Sequence, residues 1–218
     1  MEFSWTTIII VILLIVILYF VWTMLSSSSS TTSTGGSDAS QSTSLATTNS
    51  NSFSFSTWLA INDWNGSGGG TIITNDANDF SLTLGKTSND LILGIGSVSS
   101  KQTITLPSIV PLQTWASIIV SVNNGQSVDI YINGKLVQTT YLSAPYTLTG
   151  GNVTVGGGIK GHISTTFSAT SMGPQDAWDI YSSGFGSGTG SSVTDFFNKY
   201  KVRFAFVKDN VELSKLDI

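Results

Sequence analysis

Short runs in which apolar and polar residues alternate fill the chain from Phe53 onward, and this pattern constrains the fold more than any other feature. In residues 53–60, FSFSTWLA, every second side chain faces the same side of an extended strand. Gly, Asn, Asp or Pro separates most of the runs, as expected of turns. The further candidate strands are residues 80–84, 91–95, 102–106, 116–122, 127–132, 135–142, 152–156, 162–169 and 201–207. The sequence therefore predicts an all-β fold.

Asn133-Gly134 is the strongest hairpin signal in the chain. The pair lies between SVDIYI and KLVQ, and a two-residue type I′ turn needs positive φ at both positions. From Phe53 onward, only residues 174–181, PQDAWDIY, favour a helix, because proline suits the first helical position. Many short strands without βαβ alternation predict one antiparallel two-sheet β-sandwich. We expect six aromatic side chains to supply much of its core: Phe55, Trp58, Phe80, Trp115, Tyr131 and Phe167.

Residues 5–25, WTTIIIVILLIVILYFVWTML, form an uncharged apolar run. A helix of this length spans about 32 Å, which matches the roughly 30 Å hydrocarbon core of a bilayer. Trp5 at one end, with Tyr19 and Trp22 towards the other, suits the membrane–water interface. The run predicts one transmembrane helix after a short tail, residues 1–4, and a lipid bilayer as a partner. A cleaved signal peptide is the alternative, although the run is long for one and no basic residue precedes it.

Residues 26–52 are almost wholly Ser, Thr, Gly, Ala and Asn. A stretch of this composition cannot bury enough apolar area to offset the entropy of ordering it. We therefore expect a flexible tether between the anchor and a sandwich that occupies residues 53–218. Two alternatives stay open. In the first, the segment threads through a protein lattice and becomes ordered there. In the second, it lies in a lumen and carries O-linked glycans.

The composition removes several classes of site. The 218 residues include no cysteine, so thiolate zinc sites and cysteine nucleophiles are absent. Charged residues make up 10% and the net charge is −4, so no basic patch is available for nucleic acid. Both glutamates, Glu2 and Glu212, lie outside the central strands, which leaves no glutamate pair for glycoside hydrolysis. Asp176 and Asp179 suit a helix N-terminus, and His162 suits an ordinary strand position. We therefore expect that the protein is not an enzyme.

Calcium is the one ion for which the sequence offers candidate ligands. We expect no other cofactor. Oxygen ligands suit Ca²⁺, but aspartate is equally favoured in turns. The aspartates concerned lie near two predicted loops and are Asp63, Asp76, Asp79 and Asp90. Asn65 and Asn152 each begin a glycosylation sequon, which matters only if the domain faces a lumen.

Residues 114–138, TWASIIVSVNNGQSVDIYINGKLVQ, resemble the laminin-G-like branch of the concanavalin A-like lectin/glucanase superfamily. In that branch a Trp precedes a buried strand, and a hairpin of the Val-Asp-Ile-Tyr-Ile-Asn-Gly-Lys type follows. Residues 58–64, WLAINDW, and residues 161–164, GHIS, also fit. The resemblance covers roughly residues 53–169 and implies a concanavalin A-like jelly roll. It says little about function.

The C-terminal stretches AWDIYSSGFG, residues 177–186, and FFNKYKVRFAFVKDNVE, residues 196–212, are similar to laminin-G-like proteins of large icosahedral DNA viruses of algae and protists. Several of those proteins share the layout of anchor, polar tether and sandwich. In such viruses, membrane-anchored minor proteins join an inner membrane to the capsid. The resemblance implies capsid or other virion proteins as partners.

Two functions follow from these observations. The first is a single-pass virion structural protein, a minor capsid protein that links the inner membrane to the capsid shell through protein contacts. The second is a membrane-displayed carbohydrate- or receptor-binding module of lectin type. An open face with exposed aromatic side chains would favour the second, and a buried Trp64 would favour the first. The candidate glycan or partner contacts are Trp64, Tyr141, Tyr146 and Phe185.

Overall fold

The computed structural model describes residues 32–33, 37–64, 69–97, 100–185, 203–208 and 211–217. The predicted transmembrane segment, with Trp5, Tyr19 and Trp22, lies outside these ranges, as does Asn65. Within the described ranges, no helix is both long enough and apolar enough to cross a bilayer. The anchor therefore stays a prediction from the sequence.

The described chain consists of short strands and one helix near its C-terminal side. The strands are β1 Thr32–Ser33, β2 Ser37–Asp38, β3 Thr43–Thr47, β4 Phe53–Asp63, β5 Thr71–Asn75, β6 Phe80–Leu84, β7 Leu91–Ile95, β8 Gln102–Leu106, β9 Trp115–Asn123, β10 Ser127–Ile132, β11 Lys135–Tyr141, β12 Gly151–Val155, β13 Lys160–Ser168, β14 Arg203–Lys208 and β15 Val211–Asp217. The helix α1 is Pro174–Ser183. The predicted all-β fold is confirmed, and several predicted strands have the observed bounds.

Two antiparallel sheets form the sandwich. In the part of the chain that the structure describes, one sheet has the order β1-β13-β4-β9-β10-β11, with β2 also paired to β13. The facing sheet has the order β3-β12-β5-β6-β7-β8. Strands β14 and β15 pair with each other. We call the first the β4 sheet and the second the β6 sheet.

The Asn133-Gly134 turn between β10 and β11 is confirmed. Asn133 has φ 49° and Gly134 has φ 74°, as a type I′ turn requires. Across the turn, Ile132 pairs with Lys135 and Tyr131 pairs with Leu136. The tight hairpin sets the register of β10 and β11 at one edge of the β4 sheet.

The core lies between the two sheets and contains apolar side chains from both. Phe55 of the β4 sheet packs against Phe80 of the β6 sheet, with their ring centroids 5.0 Å apart. Phe167 also contacts Phe55, at 5.3 Å. These three residues are almost fully buried, which confirms their predicted place in the core.

Three of the six aromatic core predictions need correction. Trp58 and Trp115 are only partly buried, and both lie on the outer face of the β4 sheet. Alternation is the physical reason, because Phe55 and Leu59 face inward and Trp58 between them must face outward. Tyr131 is buried as expected, but it packs under α1 on the outer face rather than between the sheets.

The sandwich begins before Phe53. Thr43–Thr47, which the sequence assigns to the tether, forms the edge strand β3 and pairs with β12 from Thr43↔Val155 to Thr47↔Gly151. Leu45 enters the core and is 3% exposed. Backbone pairing with one buried leucine orders a segment that is otherwise rich in serine and threonine. The predicted tether therefore overlaps the sandwich at Thr43–Thr47.

Helix α1 covers part of the outer face of the β4 sheet. Ala177 of the helix packs with Ile119 and Tyr131, and Met172 and Ile180 complete this small second core. The backbone N–H of Gly173 donates to the Asp176 carboxylate at 2.8 Å and satisfies one free group at the helix start. This contact is the structural role expected for Asp176.

Candidate functional site

Among the side chains that the structure describes, the outer face of the β4 sheet brings together most of the aromatic ones that the core excludes. Trp58 of β4 is paired with Ser117 of β9, and Ala60 is paired with Trp115. On the other side of β4, Ala60 is paired with His162 of β13. The small Ala60 side chain thus lies between Trp115 and His162, whose ring centroids are 6.4 Å apart.

Six rings form a continuous chain of contacts on this face, which we call the ring row. The chain runs Trp178, Tyr181, Trp58, Phe185, Trp115 and His162. Its successive centroid separations are 5.9, 6.3, 6.2, 3.8 and 6.4 Å. Trp178 is 48% exposed and Phe185 is 41% exposed. Large apolar rings that are left in contact with solvent on one face are typical of a binding surface.

Helix α1 supplies one end of the ring row. Trp178 and Tyr181 are three residues apart, so both side chains lie on the same side of the helix. They rest on the turn between β10 and β11, where a Cβ atom added to Gly134 would lie 3.0 Å from Tyr181 Cβ and 3.1 Å from Trp178 Cε3. Glycine at this position therefore allows the turn and also leaves room for the two rings.

Phe185 returns the chain from the helix to the sheet. The backbone N–H of Gly184 donates to the carbonyl of Tyr181 at 3.1 Å and ends the helix. Gly184 has φ 81°, a left-handed conformation that favours glycine. Phe185 then stacks on Trp115, with the two ring planes 13° from parallel. The turn thus places an aromatic side chain on the middle of the ring row.

Polar groups border the rings. Asp38 of β2 is paired with His162 and lies on the exposed margin of the β4 sheet. The backbone N–H of Ser40 donates to Asp38 Oδ1 at 2.9 Å and holds the pKa of this carboxyl below its usual range. The Asp38 carboxylate can accept hydrogen bonds from hydroxyl groups of a ligand.

Ser117 lies beneath the rings, opposite Trp58 on the neighbouring strand. Its side chain is 1% exposed, and its hydroxyl has no hydrogen-bond partner among the described residues. Ser121, farther along β9, differs because its hydroxyl donates to the Met172 carbonyl at 2.9 Å and accepts from the Met172 N–H at 2.8 Å. Among the described residues, the Ser117 hydroxyl beneath the ring row is therefore unpaired, whereas the Ser121 hydroxyl farther along the strand makes two hydrogen bonds.

The predicted contact residues lie in different parts of the structure. Phe185 belongs to the ring row. Tyr141 is 76% exposed but lies at the end of β11, and it makes no ring contact with the row within the described residues. Trp64 is half-buried and packs against the core.

Tyr146 is a correction, because it is 4% exposed and cannot contact a ligand. Its hydroxyl donates to Asp79 Oδ1 at 2.8 Å, and the same oxygen accepts from Asn75 Nδ2. Burial and this hydrogen bond raise the pKa of Tyr146 well above its ordinary value. The three residues tie a loop to the β5–β6 turn and are part of the structure rather than of a site.

The aspartates considered for calcium do not come together. Asp63 pairs with Lys160 at 3.2 Å, and Asp79 is held by Tyr146 and Asn75. The Asp90 carboxylate accepts from Ser88 and from the Ser108 backbone, which lowers its pKa. Within the described ranges, no three His, Cys, Asp or Glu side chains form a group that could hold a metal ion. Asp76 is exposed at the surface.

Two other features lie apart from the ring row. Asn152 is exposed on β12, where a glycan would be accessible to solvent. A cavity of about 40 Å³ is lined by residues from two parts of the chain, among them Ile95, Gln102, Leu142 and Pro145. Its volume has room for only a few water molecules, so it is too small for a sugar ring.

Five members of the ring row were not predicted from the sequence as surface contacts: Trp58, Trp115, His162, Trp178 and Tyr181. The signal for Trp58 was present, since it shares its phase with Ser54 and Ser56, which face outward. The positions of Trp178 and Tyr181 depend on how α1 packs onto the sheet. That packing brings together residues far apart in the sequence, and no local pattern reveals it.

Comparisons with known proteins agree with this architecture. The family described as the concanavalin A-like lectin/glucanases superfamily matches residues 34–171, which include β3 as well as the sandwich strands that follow it. No curated protein sequence matches the chain significantly.

Several solved structures have a similar fold. The binding domain of botulinum neurotoxin DC, solved in complex with rat synaptotagmin II, is 21% identical with a TM-score of 0.51, covering 70% of this chain and 42% of that one. The binding domain of botulinum neurotoxin serotype G is 15% identical with a TM-score of 0.52, covering 72% and 47%. This chain thus spans less than half of either neurotoxin domain.

The CBM40 domain of the Ruminococcus gnavus IT-sialidase, bound to α2,3-sialyllactose, is similar over nearly its whole length. It is 11% identical with a TM-score of 0.55, and the match covers 68% of this chain and 97% of that one. Identities this low indicate a shared fold and nothing finer.

Proposed function

The chain belongs to the concanavalin A-like lectin/glucanases superfamily, and we infer that it is a lectin-like binding module that holds a glycan or a glycan-bearing receptor on the ring row. The observation that carries this proposal is the placement of the six rings. They lie outside the core on one face of the β4 sheet, and Trp178 and Phe185 expose large parts of their surface. Sugar rings have apolar C–H faces, which pack on aromatic rings, and hydroxyl edges, which bond to polar groups such as Asp38.

The fold neighbours support a binding role more than a capsid role. A CBM40 domain of similar fold was solved with α2,3-sialyllactose, and a neurotoxin binding domain of similar fold was solved with rat synaptotagmin II. Each of these two domains was thus solved with another molecule bound to it. We propose the same mode of action for this chain.

The predicted anchor gives the module its place. Residues 5–25 would span a bilayer, with Trp5, Tyr19 and Trp22 at its surfaces. Such a single-pass membrane protein holds its sandwich close to the bilayer at an effective concentration on the order of millimolar, so weak contacts with neighbouring ligands persist.

We propose that the module does not catalyse hydrolysis. Glycoside hydrolysis needs two carboxyl groups at a defined separation of roughly 5 to 9.5 Å. The outer face carries Asp176 and Asp179, but Asp176 accepts from the Gly173 backbone and Asp179 accepts from Gln175. Both carboxylates are thus engaged in holding the helix.

A protein-contact role is the second candidate, and the edge strand β11 favours it. Leu136 is 50% exposed and Val137 is 42% exposed. Within the described residues β11 ends the β4 sheet, and an edge strand presents backbone groups to which a partner strand can add. In the virion version of this role, the anchor would lie in the inner membrane and the sandwich would contact capsid proteins. Co-purification of the full chain with capsid proteins would support it.

A glycan array probed with the full chain in mild detergent tests the proposed function. The Trp115→Ala variant removes the stacked ring at the middle of the row, and Tyr141→Ala removes an exposed ring elsewhere as the matched control. The wild type and the control should bind the same glycans, and Trp115→Ala should bind them at least about tenfold more weakly. An array on which the wild type binds nothing would contradict the proposal.

A further inference from the structure

The charge around the ring row restricts which glycan it can take. The sequence from residue 37 to residue 185 contains no arginine, the side chain whose planar fork binds a carboxylate through two hydrogen bonds. Asp38 lies beside His162 at one end of the row, and Asp176 and Asp179 lie on the helix that carries Trp178 at the other. An acidic sugar would meet negative charge at both ends.

Among the side chains that the structure describes, the lysines nearby do not reverse this balance. Lys160, on the same strand as His162, is paired with Asp63 at 3.2 Å. Lys135 follows Gly134 beneath the Trp178 end, and it is a single exposed point charge without the geometry for bidentate binding. The margins of the row therefore suit hydroxyl groups, which can donate to carboxylates, better than they suit anionic groups.

The exposed apolar surface of the ring row is divided between two places. Trp178 and Phe185 are its exposed large hydrophobic rings, and the half-buried rings of Tyr181 and Trp58 lie between them. His162 at the far end of the row is exposed as well, but its imidazole ring is polar. A single terminal sugar covers about one aromatic ring, so it would leave one of the two exposed hydrophobic rings in water. A ligand of several linked sugars would cover both and bury more apolar area.

We propose that the ring row binds an uncharged, extended oligosaccharide of several sugar units, which stacks on both Phe185 and Trp178. This inference rests on the proposed function and names the ligand class for the same site. The sugar faces pack on the rings, and hydroxyl groups at the margins donate to Asp38 and to neighbouring carboxylates. The arrangement selects by charge and by length rather than by recognition of one terminal residue.

Calorimetric titration of the full chain in mild detergent tests this inference. The neutral probes are β-glucan and chitin oligosaccharides of one to six units, and the acidic probes are alginate oligosaccharides and α2,3-sialyllactose. Affinity for at least one neutral series should rise by about tenfold between one and four units. The acidic probes of matched length should bind at least about tenfold more weakly.

Variants connect the length dependence to the rings. Trp178→Ala should remove the gain from added sugar units while leaving the weak binding of short probes, and Tyr141→Ala should change neither. Because loss of Trp178 could loosen the helix, Phe185→Ala provides a second test at the other exposed ring. Circular dichroism and thermal unfolding report whether each variant retains the wild-type fold.

The outcomes separate this inference from the proposed function. Tight binding of the acidic probes, or affinity that does not change with length, would overturn the inference and leave the binding module intact. Failure of both neutral series would also overturn it, and the glycan array would then show whether other sugars bind. If the array too shows no binding, the proposed glycan function falls with it, and the ring row becomes a surface for protein.

Discussion

Phe185 stacks face to face on Trp115, with their ring centroids 3.8 Å apart and their planes 13° from parallel. Phe185 follows the helix, whereas Trp115 opens strand β9, so the contact joins the end of α1 to the middle of the β4 sheet. Neither ring enters the core between the sheets. Their mutual contact therefore builds the outer surface of the molecule rather than its interior.

Replacement of Gly134 should disturb both the hairpin and the ring row. Gly134→Ala places a side chain at φ 74° and within 3.1 Å of Tyr181 and Trp178. We expect a loss of about 1–3 kcal/mol in the free energy of unfolding and weaker ligand binding. Gly151→Ala is the matched control, since Gly151 has φ 147° and open space around it. In urea unfolding the control should lose stability because of its positive φ, but in ligand titration its affinity should equal that of the wild type. An equal loss of affinity in both variants would contradict the contact between Gly134 and the rings.

Two serines on the same strand should respond oppositely to alanine. Ser117→Ala removes a buried hydroxyl without a described partner, so the free energy of unfolding should stay unchanged or rise by up to about 1 kcal/mol. Ser121→Ala removes two hydrogen bonds to Met172 and should lower it by about 1–2 kcal/mol. Denaturant unfolding of the two variants checks this contrast. A larger loss of unfolding free energy in Ser117→Ala than in Ser121→Ala would show that the Ser117 hydroxyl has a stabilising partner.

Tyr146 should contribute stability that depends on pH. Its pKa is raised by burial and by its hydrogen bond to Asp79, so the folded state favours the neutral phenol. A group with a raised folded pKa stabilises the fold below its unfolded pKa, about 10, and loses this contribution as the pH rises beyond that value. Tyr146→Phe should therefore cost about 1.5–3 kcal/mol at pH 7. The difference from the wild type should narrow above about pH 10.

Urea unfolding between pH 7 and pH 11 measures this effect, and Tyr141→Phe is the control because Tyr141 is 76% exposed. A Tyr146→Phe variant as stable as the wild type at pH 7 would show that the buried network contributes nothing.

The strand pattern predicted most of the sandwich correctly. Alternation and turn residues placed Phe80–Leu84 and Ser127–Ile132 at their observed bounds, and Asn133-Gly134 forms the expected turn. These features are local, since a strand's period and a turn's φ angles depend on neighbouring residues. Strand β3 was not predicted, because Leu45 is its only large apolar side chain and its order comes from pairing with β12.

The site was harder to predict because it depends on long-range contacts. Trp58 and Trp115 are large aromatic residues, which usually indicate a core, yet strand phase places them outside it. Tyr146 was expected at the surface, but Asp79, which lies 67 residues away in sequence, provides its hydroxyl with a buried partner. Neither outcome can be inferred without knowing how the sheets and α1 pack.

The predicted anchor has its own test. If residues 5–25 span a bilayer, the full chain should stay in the membrane fraction through an alkaline carbonate wash, because the apolar run is held by lipid rather than by charge. Mass spectrometry should find the N-terminus intact. Deletion of residues 5–25 is the control and should release the chain. A soluble product that begins within the serine run would instead indicate a cleaved signal peptide.

Tryptophan fluorescence during oligosaccharide titration tests the central claim most directly, because Trp58, Trp115 and Trp178 all lie in the ring row. The account predicts a saturable change in emission with neutral oligosaccharides of four to six units. Trp115→Phe with Trp178→Phe should abolish most of that change, and Trp64→Phe, which alters a ring packed against the core, should preserve it. An unchanged response in the double variant, or no response in the wild type at saturating oligosaccharide, would contradict the ring row as the binding surface.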